Sequence, residues 1–330
     1  MTRRLPILLI SCIFWLTNCQ NETTEPSPNR PNVVLIMTDD QGWGDLSRHG
    51  NDSIFTPVLD AFAQESVRFE RFYVSPVCAP TRASLLTGRY HPRTNVTGVT
   101  GRREVMRSTE TTLEEVLAQA GYRTGIFGKW HNGAQYPNDP NGQGFEEFFG
   151  FCAGHWNNYF DTPLQHNQDF VETEGFITDV LTDQAIDFIS KNQDDPFFCY
   201  VPYNVPHSPM QVPDEYFEKY KKLGLTDFNA AAYAMCENMD ANVGRILETL
   251  ETEGLDSNTI VIFTTDNGPN GNRYNGYMKG RKGWVDEGGV RVPLFVRWRG
   301  ATLMHGLEVP DLAMHIDLLP TVLDLCEVPV

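Results

Sequence analysis

Continuous apolar runs alternate along the chain with segments of helical periodicity. Asn32-Val-Val-Leu-Ile-Met-Thr38 and Thr259-Ile-Val-Ile-Phe-Thr-Thr265 are almost uninterrupted apolar runs, and both end against carboxylates. Such runs are expected of strands buried on both faces of a parallel sheet. Further strand-like runs lie near Val67 to Tyr73, Arg123 to Gly128, Pro196 to Tyr203 and Val292 to Trp298. From about Phe228 to Leu250, apolar residues recur at Cys236, Met239, Val243, Ile246, Leu247 and Leu250, which is helical spacing. Thr56-Pro57 opens a helix through about Gln64, and Ile177 to Ser190 and Asp317 to Leu325 also read as helices. Thr111-Thr-Leu-Glu114 has capping-box spacing, and its helix stops at Gly121. Strands alternating with helices predict an α/β fold with a mostly parallel central sheet flanked by helices. Sites in such sheets lie beyond the carboxyl ends of strands, where Asp39, Asp40 and Asp266 fall.

One run stands apart. Val77-Cys78-Ala-Pro80-Thr81-Arg82 leads into Ala-Ser-Leu-Leu-Thr87-Gly88. Pro80 fits the first turn of a helix and Gly88 fits its end. A cysteine at that junction faces a helix N-terminus with an arginine one turn on, and both favour an anion. Two ordinary readings compete locally: a buried small hydrophobe, or the activated thiolate of a cysteine hydrolase.

Composition narrows the choice of partner. The 330 residues carry a formal net charge of −17, which argues against nucleic acid. The length and a 41% hydrophobic content fit one large globular domain. Arg3 and Arg4 precede an apolar run from Leu5 to Leu16, too short to span a bilayer but suited to a signal peptide over residues 1–19. It closes on Leu-Thr-Asn-Cys19, which resembles a bacterial lipoprotein signal with lipid on Cys19, although Asn18 replaces the usual small residue. Residues 20–31 read as a flexible tether. The expectation is an exported bacterial protein, periplasmic or anchored at the outer membrane. No disulfide pairs are assigned among Cys12, Cys19, Cys78, Cys152, Cys199, Cys236 and Cys326.

Strand ends at Asp39-Asp40 and Asp266-Asn267 would gather four oxygen-bearing side chains if the two strands are neighbours. Carboxylates so placed repel unless a cation sits between them, and all-oxygen ligation suits Ca²⁺ or Mg²⁺. Gly128-Lys129-Trp130-His131 follows another strand; a lysine and a histidine there could bind an anion and move a proton. Pro206-His207-Ser208-Pro209 holds a histidine between prolines, and Lys279 to Gly289 is a basic, glycine-rich loop containing Lys282. Gly154-His155-Trp156-Asn157-Asn158-Tyr159 is a polar-aromatic cluster that either lines a substrate pocket, with His155 and Asn157 as binding groups, or packs as a loop.

Taken in order, these segments resemble the type I sulfatases of the alkaline phosphatase superfamily, over about residues 31 to 329. The resemblance rests on the Pro31 to Asp45 run, the Cys78 run, Gly-Lys-Trp-His, Pro-His-Ser-Pro, Thr-Asp-Asn-Gly and Glu-Gly-Gly-Val-Arg-Val-Pro. It implies that a maturation enzyme oxidises Cys78 to formylglycine, whose hydrate attacks the sulfur of a sulfate ester. It implies calcium ligation by Asp39, Asp40, Asp266 and Asn267, with Arg82 holding the diol. Lys129 and Lys282 match sulfate-binding lysines. His131 matches the residue that helps the diol collapse, and His207 the one that protonates the leaving alcohol. Thr81 stands where serine is more usual, and Asn132 where leucine is frequent. Family members continue past the position of Val330 into a smaller sheet, implying that residues 32–330 form a C-terminally truncated catalytic domain.

The expected activity is therefore hydrolysis of sulfate esters, on carbohydrates or, in an assay, on aryl sulfates. A phosphodiesterase or phosphonate monoester hydrolase of the same superfamily is the enzymatic rival. A non-catalytic sulfated-glycan binder is the rival from another class.

Overall fold

The computed structural model describes residues 30–301 and 305–329. The signal-peptide expectation, Cys12, Cys19 and nearly all of the tether lie outside them. Eleven strands form one sheet among the described residues: β1 (Asn32–Thr38), β2 (Val67–Tyr73), β3 (Arg123–Lys129), β4 (Glu147–Phe151), β5 (Leu164–His166), β6 (Asp169–Val171), β7 (Phe197–Pro202), β8 (Thr259–Thr265), β9 (Arg291–Val292), β10 (Leu294–Arg297) and β11 (Glu308–Met314). The helices are α1 (Pro57–Gln64), α2 (Cys78–Thr87), α3 (Leu113–Gln119), α4 (Ile177–Lys191), α5 (Asp214–Lys221), α6 (Asp227–Thr252), α7 (Glu287–Val290) and α8 (Leu318–Leu325).

The strand order is β11-β2-β10-β8-β1-β7-β3-β4-β5-β6, with β9 paired to β2. The five central strands β8-β1-β7-β3-β4 are all parallel. Antiparallel pairs flank them, through β10 on one side and β5 and β6 on the other. The parallel centre is thus held within a mixed sheet.

β1 is buried along its whole length, and its alternation sorts the core into two layers. Val34 and Ile36 pack with residues of α1, α4 and α6; Val33, Leu35 and Met37 pack with α2, α3 and α8. Each of these side chains contributes about 2 kcal/mol by leaving water, so the strand nearest the site is among the most firmly held.

Several expected elements differ in detail. The capping box at α3 uses Thr112 and Glu115, one residue beyond the expected pair. The run from Val292 to Trp298 divides at Pro293, which has no N–H for a ladder, giving β9 and β10. The five cysteines from Cys78 onward are free and buried.

Candidate active site

The register of the central strands assembles the site. Thr38 pairs with Thr265 across β1 and β8, so the residues that follow leave the sheet side by side. Asp266 donates its N–H to the Thr38 carbonyl at 3.1 Å, and Asp39 donates to the Val205 carbonyl beyond β7 at 3.0 Å. Lys129 ends β3 on the far side of β7, and Arg82 donates to its carbonyl at 2.7 Å. Four neighbouring strands thus deliver Asp266, Asp39, His207 and Lys129 to one edge.

Three carboxylates and three cations meet there. Lys129 Nζ lies 2.5 Å from Asp39 Oδ2, and Lys282 Nζ lies 2.6 Å from Asp40 Oδ1. Arg82 Nη2 lies 2.8 Å from Asp266 Oδ2 and 4.0 Å from Asp39 Oδ2, with all three side chains fully buried. Burial would raise the Asp39 carboxyl, but Lys129, His207, Arg82 and Lys282 outweigh it and hold the group well below the usual carboxylate range. Asp266 moves the other way, because burial and the neighbouring Asp39 charge outweigh Arg82.

The donor set fits a hard divalent cation. Asp39 Oδ1 and Asn267 Oδ1 are buried oxygens without a partner among the described residues. Asn267 donates its amide N–H groups to Asp40 Oδ1 and to the Gly268 carbonyl, both at 2.9 Å, which fixes its oxygen as the free end. Buried oxygens of this kind are costly unless something positive meets them, and oxygen ligands select Ca²⁺ or Mg²⁺. Asp40 adopts φ 67, in the left-handed region that non-glycine residues disfavour. His131 does the same at φ 66, and such strain clusters at functional sites.

The two histidines differ in which nitrogen is free. His131 Nε2 donates to the Val99 carbonyl at 3.0 Å, leaving Nδ1 a buried, unpartnered lone pair. Burial and then Lys129 hold its pKa well below the ordinary value, so it is a free base at neutral pH. His207 Nδ1 donates to the Ser208 carbonyl at 2.7 Å, leaving Nε2 3.8 Å from Asp40 Oδ2. Its pKa is lowered by burial, against the pull of Asp39 and Asp40.

Cys78 opens α2 and is 2% exposed. Burial raises its thiol pKa; Lys129 opposes this, and Asp39 and Asp266 add to it. That setting does not produce a thiolate, which removes the main support for the cysteine-hydrolase reading. Thr81 donates to the Ser75 carbonyl at 3.1 Å and Asn132 to the Ala79 carbonyl at 3.1 Å. Both departures from the family pattern therefore tie down the start of α2.

A cavity of about 740 Å³ opens above Cys78, and His131, His155, His207 and Lys282 also line it. Asn157 is exposed and is not among its lining residues. Tyr159 of the same cluster is buried, its hydroxyl donating to the His207 and Ser208 carbonyls at 3.1 and 3.0 Å.

Three features were missed in the sequence. Gly154 is one: a Cβ there would overlap His131 Nε2. The others are Arg102 and Glu104 in the cavity wall, and the buried Arg273–Asp45 pair beneath Asp40. Only the glycine carried a signal, as the opening residue of the polar-aromatic cluster.

Comparison with known proteins follows the same lines. A sequence model of the family described as Sulfatase matches residues 31–328. Mouse (Mus musculus) arylsulfatase J is 32% identical over 91% of this chain and 53% of its own length. Mouse N-acetylgalactosamine-6-sulfatase is 33% identical over 91% of this chain and 63% of its own. The chain thus spans between about half and just under two thirds of these relatives. The crystal structure of Ps i-CgsB in complex with k-i-k-neocarrahexaose superposes with a TM-score of 0.83 at 31% identity, covering 91% of this chain and 73% of that one. A family match running through nearly every described residue, together with relatives above 30% identity, establishes that this chain belongs to the sulfatase family.

Proposed function

We propose that the protein hydrolyses sulfate esters of carbohydrates, with residue 78 acting as formylglycine and Ca²⁺ held by Asp39, Asp40, Asp266 and Asn267. The observation carrying this reading is the position of Cys78. It is a buried, unactivated thiol on the floor of a cavity whose walls hold His131, His207 and Lys282. The carbohydrate substrate is supported by the likeness to Ps i-CgsB, whose crystal structure is a complex with k-i-k-neocarrahexaose. Export, with lipid on Cys19, rests on the basic-then-apolar start of the sequence.

When bound, the cation supplies positive charge that polarises the sulfate oxygens, and the matured residue 78 supplies a hydroxyl nucleophile. The chain's own groups do the remainder. Lys129 and Lys282 place fixed cations beside Asp39 and Asp40, where the sulfate oxygens would add negative charge. Arg82, clamped by Asp266 and the Lys129 carbonyl, cannot swing away from residue 78. His131 holds a bare lone pair at Nδ1 that accepts a proton from the hydroxyl at residue 78. His207, with Nδ1 donating to the Ser208 carbonyl, leaves Nε2 beside Asp40 as the atom that takes up a proton to form the imidazolium and then passes it to the departing alcohol.

Mass spectrometry of the Cys78 peptide from cells with the maturation enzyme should show a loss of about 18 Da. The matured protein should release sulfate from an aryl sulfate faster than phosphate from the matching phosphate ester. Cys78→Ala should abolish turnover while preserving fold and metal binding; full activity in that variant would rule out the mechanism. Preference for phosphate would favour the rival hydrolases, and tight sulfate binding without turnover the glycan binder.

A further inference from the structure

The cavity has a second charged region that the sulfate-binding groups do not use. Residues 93–107 contain Arg93, Arg102, Arg103 and Arg107 against a single acidic residue, Glu104, in a chain whose net charge is −17. This segment forms one wall: Val99, Thr100, Gly101, Arg102, Glu104 and Val105 all line the cavity. It is folded on itself, with Thr97 N–H donating to the Arg103 carbonyl at 2.8 Å. It is also fastened to the catalytic edge. His131 donates to the Val99 carbonyl at 3.0 Å, and Met106 N–H donates to the Asn132 carbonyl at 3.0 Å.

Within this wall Arg102 stands out. Arg103 and Arg107 give side-chain hydrogen bonds to the Thr100 and Arg93 carbonyls. Arg102 has no carboxylate or carbonyl partner among the described residues, although it lines the cavity. Lys282 in the cavity lining, and the buried Lys129 and Arg82, are each matched by an aspartate. Gly101 and Arg102 both sit at positive φ, 69 and 67. An arginine disfavours that region, so the turn presents this side chain against a local conformational cost. Beside it, Glu104 Oε2 is a buried acceptor without a partner.

Building on the sulfate-ester reading, we propose that this wall is an anion subsite. Arg102 binds a second acidic group, sulfate or carboxylate, on the saccharide whose sulfate ester reaches residue 78, and Glu104 accepts a hydrogen bond from a hydroxyl of the same sugar. A planar guanidinium suits either anion through paired N–H donors. A neutral aryl sulfate satisfies neither group. The preferred substrate is therefore a sugar unit bearing at least two negative charges.

Titration calorimetry on the purified protein tests this with inorganic sulfate and sucrose octasulfate as probes. In Arg102→Gln the ratio of the octasulfate to the sulfate dissociation constant should rise by about tenfold or more. Arg102→Lys should recover only part of that loss. Arg93→Gln, on the same segment but outside the cavity lining, should leave the ratio within about threefold of wild type. An Arg102→Gln ratio within that margin, or an equal change in Arg93→Gln, overturns the inference. Two disaccharides, one disulfated and one carrying a single sulfate and a uronate, separate the sources. The anion whose binding falls in Arg102→Gln is the one recognised, and a fall for neither overturns the subsite. Aryl sulfatase turnover is measured separately: its absence with the ratio still shifted rejects the hydrolase reading alone.

Discussion

Arg273 donates to the main-chain carbonyl of Asp40 at 2.7 Å while its guanidinium also grips both oxygens of Asp45 at 2.7 to 2.9 Å. Asp45 in turn accepts the Gly42 N–H at 2.7 Å. The left-handed turn at Asp40 is therefore braced from below by an ion pair whose side chains are at most 1% exposed. Removing one partner of such a pair leaves a buried charge uncompensated, at about 3 to 5 kcal/mol. Arg273→Ala should lose stability of that order in urea denaturation. The Arg273→Ala/Asp45→Ala double variant should lose less than the sum of the single losses. Additive losses would show that the pair does not act as a unit.

Gly154→Ala tests the seating of His131. The added carbon would collide with Nε2 and Cε1, so the imidazole must leave the Val99 carbonyl. A displacement near 1 Å costs about 100-fold in rate. We expect kcat to fall by that order, and Gly154→Ala to cause little further loss in a His131→Ala background. Unchanged kcat in the single variant would remove the positioning role.

Calcium should be visible without turnover. A ligand that binds only the folded state at 100 times its dissociation constant adds about 2.7 kcal/mol of stability. Thermal unfolding of the wild type should shift upward with added Ca²⁺ and return with chelator. Asn267→Ala, which removes an unpartnered buried oxygen, should weaken the response by about 10- to 100-fold in midpoint concentration. A response identical to wild type would exclude Asn267 as a ligand.

Acid sensitivity should arise partly far from the site. His315 is buried, and burial drives its pKa from 6.5 to about 4 despite the Tyr73 carbonyl hydrogen bond. Burial likewise moves His49 to about 4, where it stacks on Trp43. The unfolded chain binds these protons near pH 6.5 and the folded chain does not. Their stabilisation is complete above that pH and is lost as pH falls from 6.5 towards 4. For His315 the loss is roughly 3 kcal/mol. Urea titrations at a series of pH values should show His315→Asn with a shallower acid limb than wild type; parallel limbs would contradict the assignment.

What the sequence made legible follows burial. β1, β7 and β8 are apolar for most of their length because both faces are covered, and that pattern pointed to the candidate residues at their ends. The margins were not legible. β11 contains Pro310 and leaves Leu312 62% exposed, so it has little apolar signature. The short β5 and β6, three residues each, offer too few positions for a period to register. Arg102 and Glu104 reach the cavity through a chain reversal fastened to His131, a contact that local spacing does not encode. The left-handed backbone at Asp40 and His131 also runs against residue preference, so only the fold reveals it.

The strand order has a consequence in time. Cys78 is made early, but Asp266 and Lys282, which complete the charged cluster beside it, come about 190 and 200 residues later. At about 5 to 20 residues per second, synthesis leaves an interval of roughly 10 to 40 seconds in which the cysteine exists and its enclosure does not. During that interval the thiol is open on every side, whereas in the folded protein, with Cys78 2% exposed, it is approached only through the cavity.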